Sequence, residues 1–334
     1  MTTTTPLPPE VKALAEADFS QLARRFADAG YGVALPARGI VTIRSPQASA
    51  RASVLVSVGV HGDETAPIEM LAHLLDALSR EPQALAVDLM VCVGNVDAIA
   101  AGRRFIDADL NRMFRPQRGA LADTAEAARA DRMIAATAAF FDAAGAERWH
   151  LDLHTAIRPS VYPTFAIVPD LIAPAPRAAL ITWLGQAAIG AIIMNPSTAG
   201  TYSYHSAEHH GAAGTTVELG KVGTLGQNDL RQFDAVAAAL GALLRGQPGG
   251  AARTAPTLFR VAQEVIKLSE GFKMAFGAET QNFSALKAGE VIATDGATVY
   301  TVRHPQEMVV FPNPAVRVGL RAALMVVPVM EDAL

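Results

Sequence analysis

The sequence predicts an α/β fold, a mixed but largely parallel sheet flanked by helices, with a smaller all-β domain at its C-terminal side. Two observations carry the first part. Continuous apolar runs of strand length belong in a sheet covered on both faces, and the segments between them have the helical period that supplies the cover. The third observation is a change of texture near Gly246. Gly246-Gln-Pro-Gly-Gly-Ala-Ala-Arg-Thr-Ala-Pro256 is a linker by composition, and short β-rich runs punctuated by turn residues follow it. The expected division is 1–246 and 257–334, the second part being of a size that can fold alone.

Taken in order, the elements are justified as follows. Past a Pro-rich leader, Glu10 to Asp28 carries Val11, Leu14, Phe19, Leu22 and Phe26 at helical spacing and ends at Gly30. Ser53 to Val60 reads as a buried strand that feeds the loop Gly59-Val60-His61-Gly62. A helix is expected over Ala66 to Ser79, a strand over Val87 to Val93, and a helix over Leu121 to Ala144. Short strands follow at Trp149 to Leu153, Phe165 to Val168, Ala191 to Met194 and Thr215 to Leu219. Helices near Ala175 to Ala188 and Leu230 to Leu244 separate or follow them. Beyond the linker, strands are expected at Leu258 to Leu268, Glu290 to Ala293, Val299 to Arg303, Met308 to Phe311 and Ala322 to Val329, with turns at Asp295-Gly296 and Pro312-Asn313-Pro314.

Composition bounds the function. The 334 residues are 51% hydrophobic and 18% charged, which is too apolar for a disordered chain. The formal net charge of −4 gives no basis for displacing counterions from a nucleic acid. The single cysteine, Cys92, sits in Val91-Cys92-Val93 and reads as packing. No secretory signal and no apolar stretch of membrane-spanning length is visible, so a cytoplasmic protein without membrane or nucleic-acid partners is expected. A homo-oligomer is compatible with the sequence.

Three H-x-x-E tetrads occur, so the pattern needs context. His304 to Glu307 lies in the β-rich tail with no third ligand in view. His205-Ser-Ala-Glu208-His209 has the H-x-x-E-H order of some zinc proteases, which requires a helix. Tyr202, Gly211 and Gly214 bracket it, so it reads instead as a polar loop near the pocket. His61 and Glu64 directly follow a buried strand, and His154 ends another. Ligands gather beyond the carboxyl ends of such strands. Alone, each histidine reads as a hydrogen-bonded core or loop residue. Together, His61, Glu64 and His154 have the composition of a catalytic zinc site with one open position. Asp152 shares a strand face with His150 and His154 and is a candidate partner for a ligand imidazole. Glu218, ending an apolar strand, is the candidate general base. Arg103-Arg104 and Asn111-Arg112 offer groups that clasp carboxylates, although Asp107 and Asp109 could equally engage them in surface ion pairs.

At this point a resemblance enters. His61-Gly-Asp-Glu64-Thr-Ala-Pro-Ile-Glu, Asp109-Leu-Asn111-Arg112, Asp152-Leu-His154-Thr-Ala-Ile-Arg158 and Thr216-Val-Glu218-Leu-Gly resemble, in that order, the aspartoacylase/succinylglutamate desuccinylase family of zinc-carboxypeptidase-like hydrolases. The resemblance spans nearly the whole chain, the β-rich tail included. It implies a zinc-carboxypeptidase-like domain, a C-terminal β domain that helps shape the pocket, and one Zn2+ held by His61, Glu64 and His154. By the same resemblance Glu218 would activate water. Arg104, seven residues before Asn111 as in aspartoacylase, would polarise the scissile carbonyl. Asn111, Arg112 and Arg158 would bind the substrate, a small N-acyl acidic amino acid. The implied reaction is hydrolysis of N-succinyl-L-glutamate to succinate and L-glutamate, closing the succinyltransferase route of arginine catabolism. A related deacylase of aspartoacylase type, a zinc carboxypeptidase, or a zinc-binding relative without turnover are the alternatives. Asp63 departs from the Asn common in relatives, and Tyr300, the tail's one tyrosine, reads as a strand residue.

Overall fold

Twelve strands hydrogen-bond into one mixed sheet that runs through both halves of the chain. The computed structural model describes residues 6–46, 52–197, 200–277 and 279–329, so the first five residues of the Pro-rich leader lie outside it. The segment expected as one N-terminal helix is two, α1 (Pro9–Ala15) and α2 (Ser20–Asp28). The break is at Ala17, whose φ of 61° cannot continue a helix, and Asp18 Oδ1 accepts the Ser20 N–H just beyond it.

A hairpin that the sequence reading did not anticipate follows, β1 (Gly32–Ala37) and β2 (Ile40–Arg44). Then come β3 (Ser53–Val58), α3 (Ala66–Arg80), β4 (Asp88–Val93), α4 (Val96–Ala100), α5 (Ala125–Asp142) and β5 (Arg148–Ala156). They are followed by β6 (Thr164–Pro169), α6 (Pro174–Gln186), β7 (Ala191–Asn195), α7 (Tyr202–His210), β8 (Ala213–Lys221) and α8 (Asp234–Leu244). The strand order is β1-β2-β4-β3-β5-β8-β6-β7, and the central neighbours β4, β3, β5 and β8 pair in parallel. All six residues of β3 are buried, and they alternate between two layers as the two-residue period requires. Val54, Val56 and Val58 pack in the layer that contains α3, α6 and α8. Leu55 points to the opposite layer, where Cys92 is fully buried with Phe140, Phe141 and Tyr202. Cys92 is therefore packing, and burial pushes its thiol up to about 11.

The stretch read as a polar loop, His205 to His210, lies within helix α7. Gly211, which looked like a breaker, ends the helix. At φ 62° its N–H reaches Ala207 O at 3.1 Å, the left-handed cap that glycine adopts without penalty. Buried polar partners fix the rest. Asn111 Oδ1 accepts the Tyr202 N–H at 2.9 Å, the Tyr202 and Thr137 hydroxyls are 2.6 Å apart, and Ser206 Oγ meets His150 Nδ1 at 2.8 Å.

Beyond the linker lie β9 (Thr257–Ile266), β10 (Lys273–Met274), β11 (Ser284–Lys287), β12 (Val291–Asp295), β13 (Thr298–Thr301), β14 (Gln306–Val310) and β15 (Arg321–Pro328). The texture change is not a sheet boundary, because β9 pairs in parallel with β7 and the sheet continues β7-β9-β15-β14-β11. A separate three-stranded sheet, β10-β12-β13, carries the expected Asp295-Gly296 turn. Among the described residues no helix is long and apolar enough to cross a membrane.

Candidate metal centre and substrate cavity

Three adjacent parallel strands, β3, β5 and β8, bring the candidate site together. After β3 the chain turns tightly through His61-Gly62-Asp63-Glu64 into α3. The turn needs glycine, since a Cβ at Gly62 would stand 2.3 Å from the Ala98 carbonyl carbon. His154 lies near the end of β5, and its register partner on β8 is Glu218.

The side chains converge. His61 Nδ1 is 2.8 Å from Glu64 Oε1, and His154 Nδ1 is 2.9 Å from Glu64 Oε2. One ligand atom from each of the three lies within 4.8 Å of the others, the group among the described residues able to hold a metal ion. The outward nitrogens are also taken by carboxylates: His61 Nε2 by Asp109 Oδ1 at 2.9 Å, and His154 Nε2 by Asp152 Oδ2 at 3.0 Å. Carboxylates behind imidazoles fix the tautomer that presents Nδ1 and raise its basicity. Asp152 is held in turn by Ser57 Oγ at 2.5 Å. Two imidazoles and a carboxylate, oriented from behind, match a zinc site that keeps one position open, so the residues present fit the ion.

Electrostatics follow from burial and these pairings. Burial pulls the Glu64 pKa up, but the His61 and His154 imidazoles outweigh it and hold the carboxyl well below its usual range. Burial lowers His154, yet Asp152 and Glu64 bring it well above the ordinary histidine value. Asp109 is held low, against its burial, by Arg112 and His61. Glu218 behaves oppositely. Burial first, and then the Glu64 charge, push it up to about 7, and its Oε2 is buried with no hydrogen-bond partner.

Around this centre lies a cavity of about 450 Å³, within the range of small-molecule sites. Arg104, Arg112, Arg158, Arg317 and Arg321 line it with Glu64, Asp109 and Glu218. Arg104 Nη1 donates to Glu64 Oε1 at 2.8 Å and stands 3.7 Å from Asp63 Oδ1. Asn111 lines the cavity while its Oδ1 is committed to the α7 N-terminus. Arg112 Nη1 donates to Asn111 O at 2.7 Å. Arg158 donates to the carbonyls of Gly277 (3.1 Å) and Thr280 (3.4 Å), so it ties two loops together at the cavity wall. Arg317 Nη2 donates to Asp107 O at 3.2 Å, a contact from the segment before β15 to the loop that carries Asp109.

Other sequence candidates fall elsewhere. On α7, Glu208 is exposed and pairs with His209 at 3.4 Å, while both nitrogens of buried His205 lack partners, so H-x-x-E-H forms no ligand set. His304 Nδ1 contacts Glu307 within the C-terminal part, and the Tyr300 hydroxyl donates to Ile266 O. Sequence reasoning missed Asp109 as the partner of His61, and missed Arg317 and Arg321. For Asp109 the signal was its place one residue before Leu110-Asn111-Arg112. For the two arginines no local signal exists.

Comparison with known proteins accords with this geometry. The model of the succinylglutamate desuccinylase/aspartoacylase catalytic domain matches residues 50–244, and that of the AstE/AspA barrel-sandwich hybrid domain matches residues 254–329. A succinylglutamate desuccinylase from Burkholderia orbicola is 46% identical over 289 residues, 86% of this chain and 84% of that protein. The solved structure of succinylglutamate desuccinylase from Vibrio parahaemolyticus superposes with a TM-score of 0.83 at 31% identity, covering 90% of this chain and 89% of that one. The one from Chromobacterium violaceum gives 0.77 at 35% identity, covering 93% and 98%. With its metal-competent centre, its sheet order and both domain matches, this chain belongs to the succinylglutamate desuccinylase/aspartoacylase family.

Proposed function

We propose that this chain is a zinc-dependent amidohydrolase that cleaves N-succinyl-L-glutamate to succinate and L-glutamate. The observation that carries the reading is the oriented His61, Glu64 and His154 set beside an unpartnered buried carboxylate, Glu218, in an arginine-lined cavity. The substrate follows from relatives of that name, one of them at 46% identity. One Zn2+ per subunit would be held by those three residues and would supply Lewis acidity toward the scissile carbonyl.

The chain's own groups account for the rest. Water oxygen adds to the amide carbonyl carbon while Glu218 accepts its proton. The carbon–nitrogen bond then breaks, and Glu218 returns that proton to the leaving nitrogen. Burial pushes the Glu218 carboxyl up, which suits a group that must hand the proton on. Arg104 donates toward the carbonyl oxygen as negative charge develops there. Asn111, Arg112 and Arg158 bind substrate carboxylates, and planar guanidinium forks are matched to that group. We assign the catalytic part to residues 1–246 and the pocket-shaping β part to 257–334. A cytoplasmic enzyme closing the succinyltransferase route of arginine catabolism is the corresponding cellular role.

The test is turnover of the purified zinc-loaded protein on N-succinylglutamate, N-acetylaspartate and a short peptide. Preference for the first is expected. Preference for N-acetylaspartate would make it an aspartoacylase-type deacylase, peptide cleavage a carboxypeptidase, and no turnover on any of them a non-catalytic relative.

A further inference from the structure

The cavity holds a cation that the assigned chemistry does not use. Arg321 opens strand β15, in the C-terminal part, yet it lines the same cavity as Glu64, His154 and Glu218. Its side chain is only 15% exposed. Nη1 donates to Glu264 Oε1 at 3.1 Å, and that oxygen also accepts from Ser197 Oγ at 2.7 Å. Glu264 sits on β9, the hydrogen-bonded neighbour of β15, so the sheet itself fixes the direction from which Arg321 is held. A guanidinium has five N–H donors, and this contact occupies one edge of the fork.

Arg112 lines the same cavity from the other half of the chain. The two guanidiniums, with side chains 15% and 27% exposed, repel across the cavity. Burial and then the Arg112 charge pull Arg321 down to about 10, with Glu264 only partly opposing them. Asp109 Oδ2 stands 4.0 Å from Arg112 Nε as Glu264 stands against Arg321, and an anion entering the cavity would offset the repulsion that remains between the two guanidiniums. The proposed substrate brings three carboxylates, Arg104 is engaged by Glu64, and Arg158 spends its Nη1 on backbone carbonyls, so a further cation in the cavity has a carboxylate to serve.

We infer that Arg321 is a specificity-determining residue: together with Arg112 it seats one substrate carboxylate remote from the scissile amide, and Glu264 positions its fork. The C-terminal part then reads the substrate as well as covering the cavity. This inference rests on the desuccinylase reading, and the experiment separates the two.

Arg321→Met keeps length and removes the charge. Its kcat/KM would be compared with wild type on N-succinylglutamate and on three analogues, each lacking one carboxylate: N-butyrylglutamate, N-succinyl-2-aminobutyrate and N-succinyl-γ-aminobutyrate. The expected loss on N-succinylglutamate is on the order of 10²-fold, as for truncating one partner of a buried charge pair. On the one analogue that lacks the matching carboxylate it should shrink to less than about 3-fold, because the contact is then absent from both sides of the comparison. Arg321→Lys should show the same selectivity with a smaller loss, and serves if the methionine variant does not fold. Glu264→Gln should raise KM more than it lowers kcat. Binding of succinate and of glutamate to the zinc-loaded protein, by calorimetry, gives a readout independent of turnover, and one of them should weaken in Arg321→Met. Equal losses on all four substrates with product binding unchanged would overturn the role of Arg321. A wild type inactive on N-succinylglutamate, with anion binding still lost in Arg321→Met, would overturn the desuccinylase reading and leave the anion seat standing.

Discussion

Replacing Asp152 by Asn tests whether the carboxylates behind the imidazoles serve the metal. Asp152 is fully buried, with Oδ2 against His154 Nε2 at 3.0 Å and Oδ1 accepting from Ser57 Oγ. An amide of the same shape can keep its oxygen toward His154 and turn its NH2 toward Ser57. Ser57 Oγ would then donate to His150 Nε2, which lies 2.9 Å away. His150 would switch tautomer and donate from Nδ1 to Ser206 Oγ at 2.8 Å, and Ser206 can still donate to Tyr202 O at 3.3 Å. Every bond in the chain can therefore reverse, so no buried polar group is orphaned and stability should change little. What is lost is the negative charge, a leading reason His154 is raised well above its ordinary value and hence a strong donor. Removing such a partner weakens metal affinity by about 10–100-fold, or roughly 1.4–2.7 kcal/mol. Competition with a chromophoric zinc chelator measures the affinity, and urea unfolding of the metal-free protein measures the stability. Unchanged zinc affinity in a folded Asp152→Asn protein would refute the reasoning and make Asp152 purely a core hydrogen-bond partner.

Three further outcomes are expected. Glu218→Gln should retain stoichiometric zinc and bind substrate while kcat falls on the order of 10²–10⁴-fold, and near-normal turnover would remove Glu218 from proton transfer. Dialysis against a chelator should abolish turnover and leave the circular dichroism spectrum largely intact, because the strand that carries His154 and the strand that leads to His61 and Glu64 are already held by backbone pairing; zinc should restore activity, whereas full activity in a verified metal-free sample would exclude a metal role. Buried His205 is pulled down to about 4 by burial and by His209 and His210, so the folded state keeps it neutral while the unfolded chain protonates it near 6.5. Its cost is absent above about pH 6.5 and grows as pH falls toward 4, so His205→Phe should be neutral at pH 7.5 and stabilising at pH 5 in denaturant melts, and a loss equal at both pH values would contradict this.

What the sequence disclosed and what it hid have physical causes. β3 and β4 were legible because both faces are covered, which leaves a long apolar run, and the run of β3 leads straight into the site. His61, Glu64 and His154 stood out because each directly follows or ends such a run. The β1–β2 hairpin was hidden by partial exposure, and β1 even contains Pro36. Helix α7 was misread because its stability comes from Asn111, Thr137 and His150, contacts supplied by distant segments, while Gly211 looks the same whether it breaks a helix or caps one. Ala17 adopts a left-handed φ that no residue-level rule assigns to alanine. Glu264 and Arg321 meet only because β9 and β15 pair, across 57 residues of chain.

The unbroken sheet gives these observations a common basis. His154 and Glu218 are fixed relative to each other by the β5–β8 register, so the proposed base and one of the three candidate ligands are set by backbone hydrogen bonds, while His61 and Glu64 are placed by the tight turn after β3. From β8 the same network runs through β6, β7 and β9 to β15, where Arg321 enters the cavity. The distance between Glu218, the proposed proton acceptor, and Arg321, the proposed carboxylate reader, is thus determined by strand spacing along one sheet. A hinge at the Gly246 to Pro256 linker could not vary it without breaking the β7–β9 pairs from Ala191↔Thr257 to Met194↔Arg260. On the proposed role of Arg321, selection of the carboxylate remote from the scissile amide is therefore a property of the sheet, and side-chain substitutions at Arg112 and Arg321 are the economical way for a relative to change it.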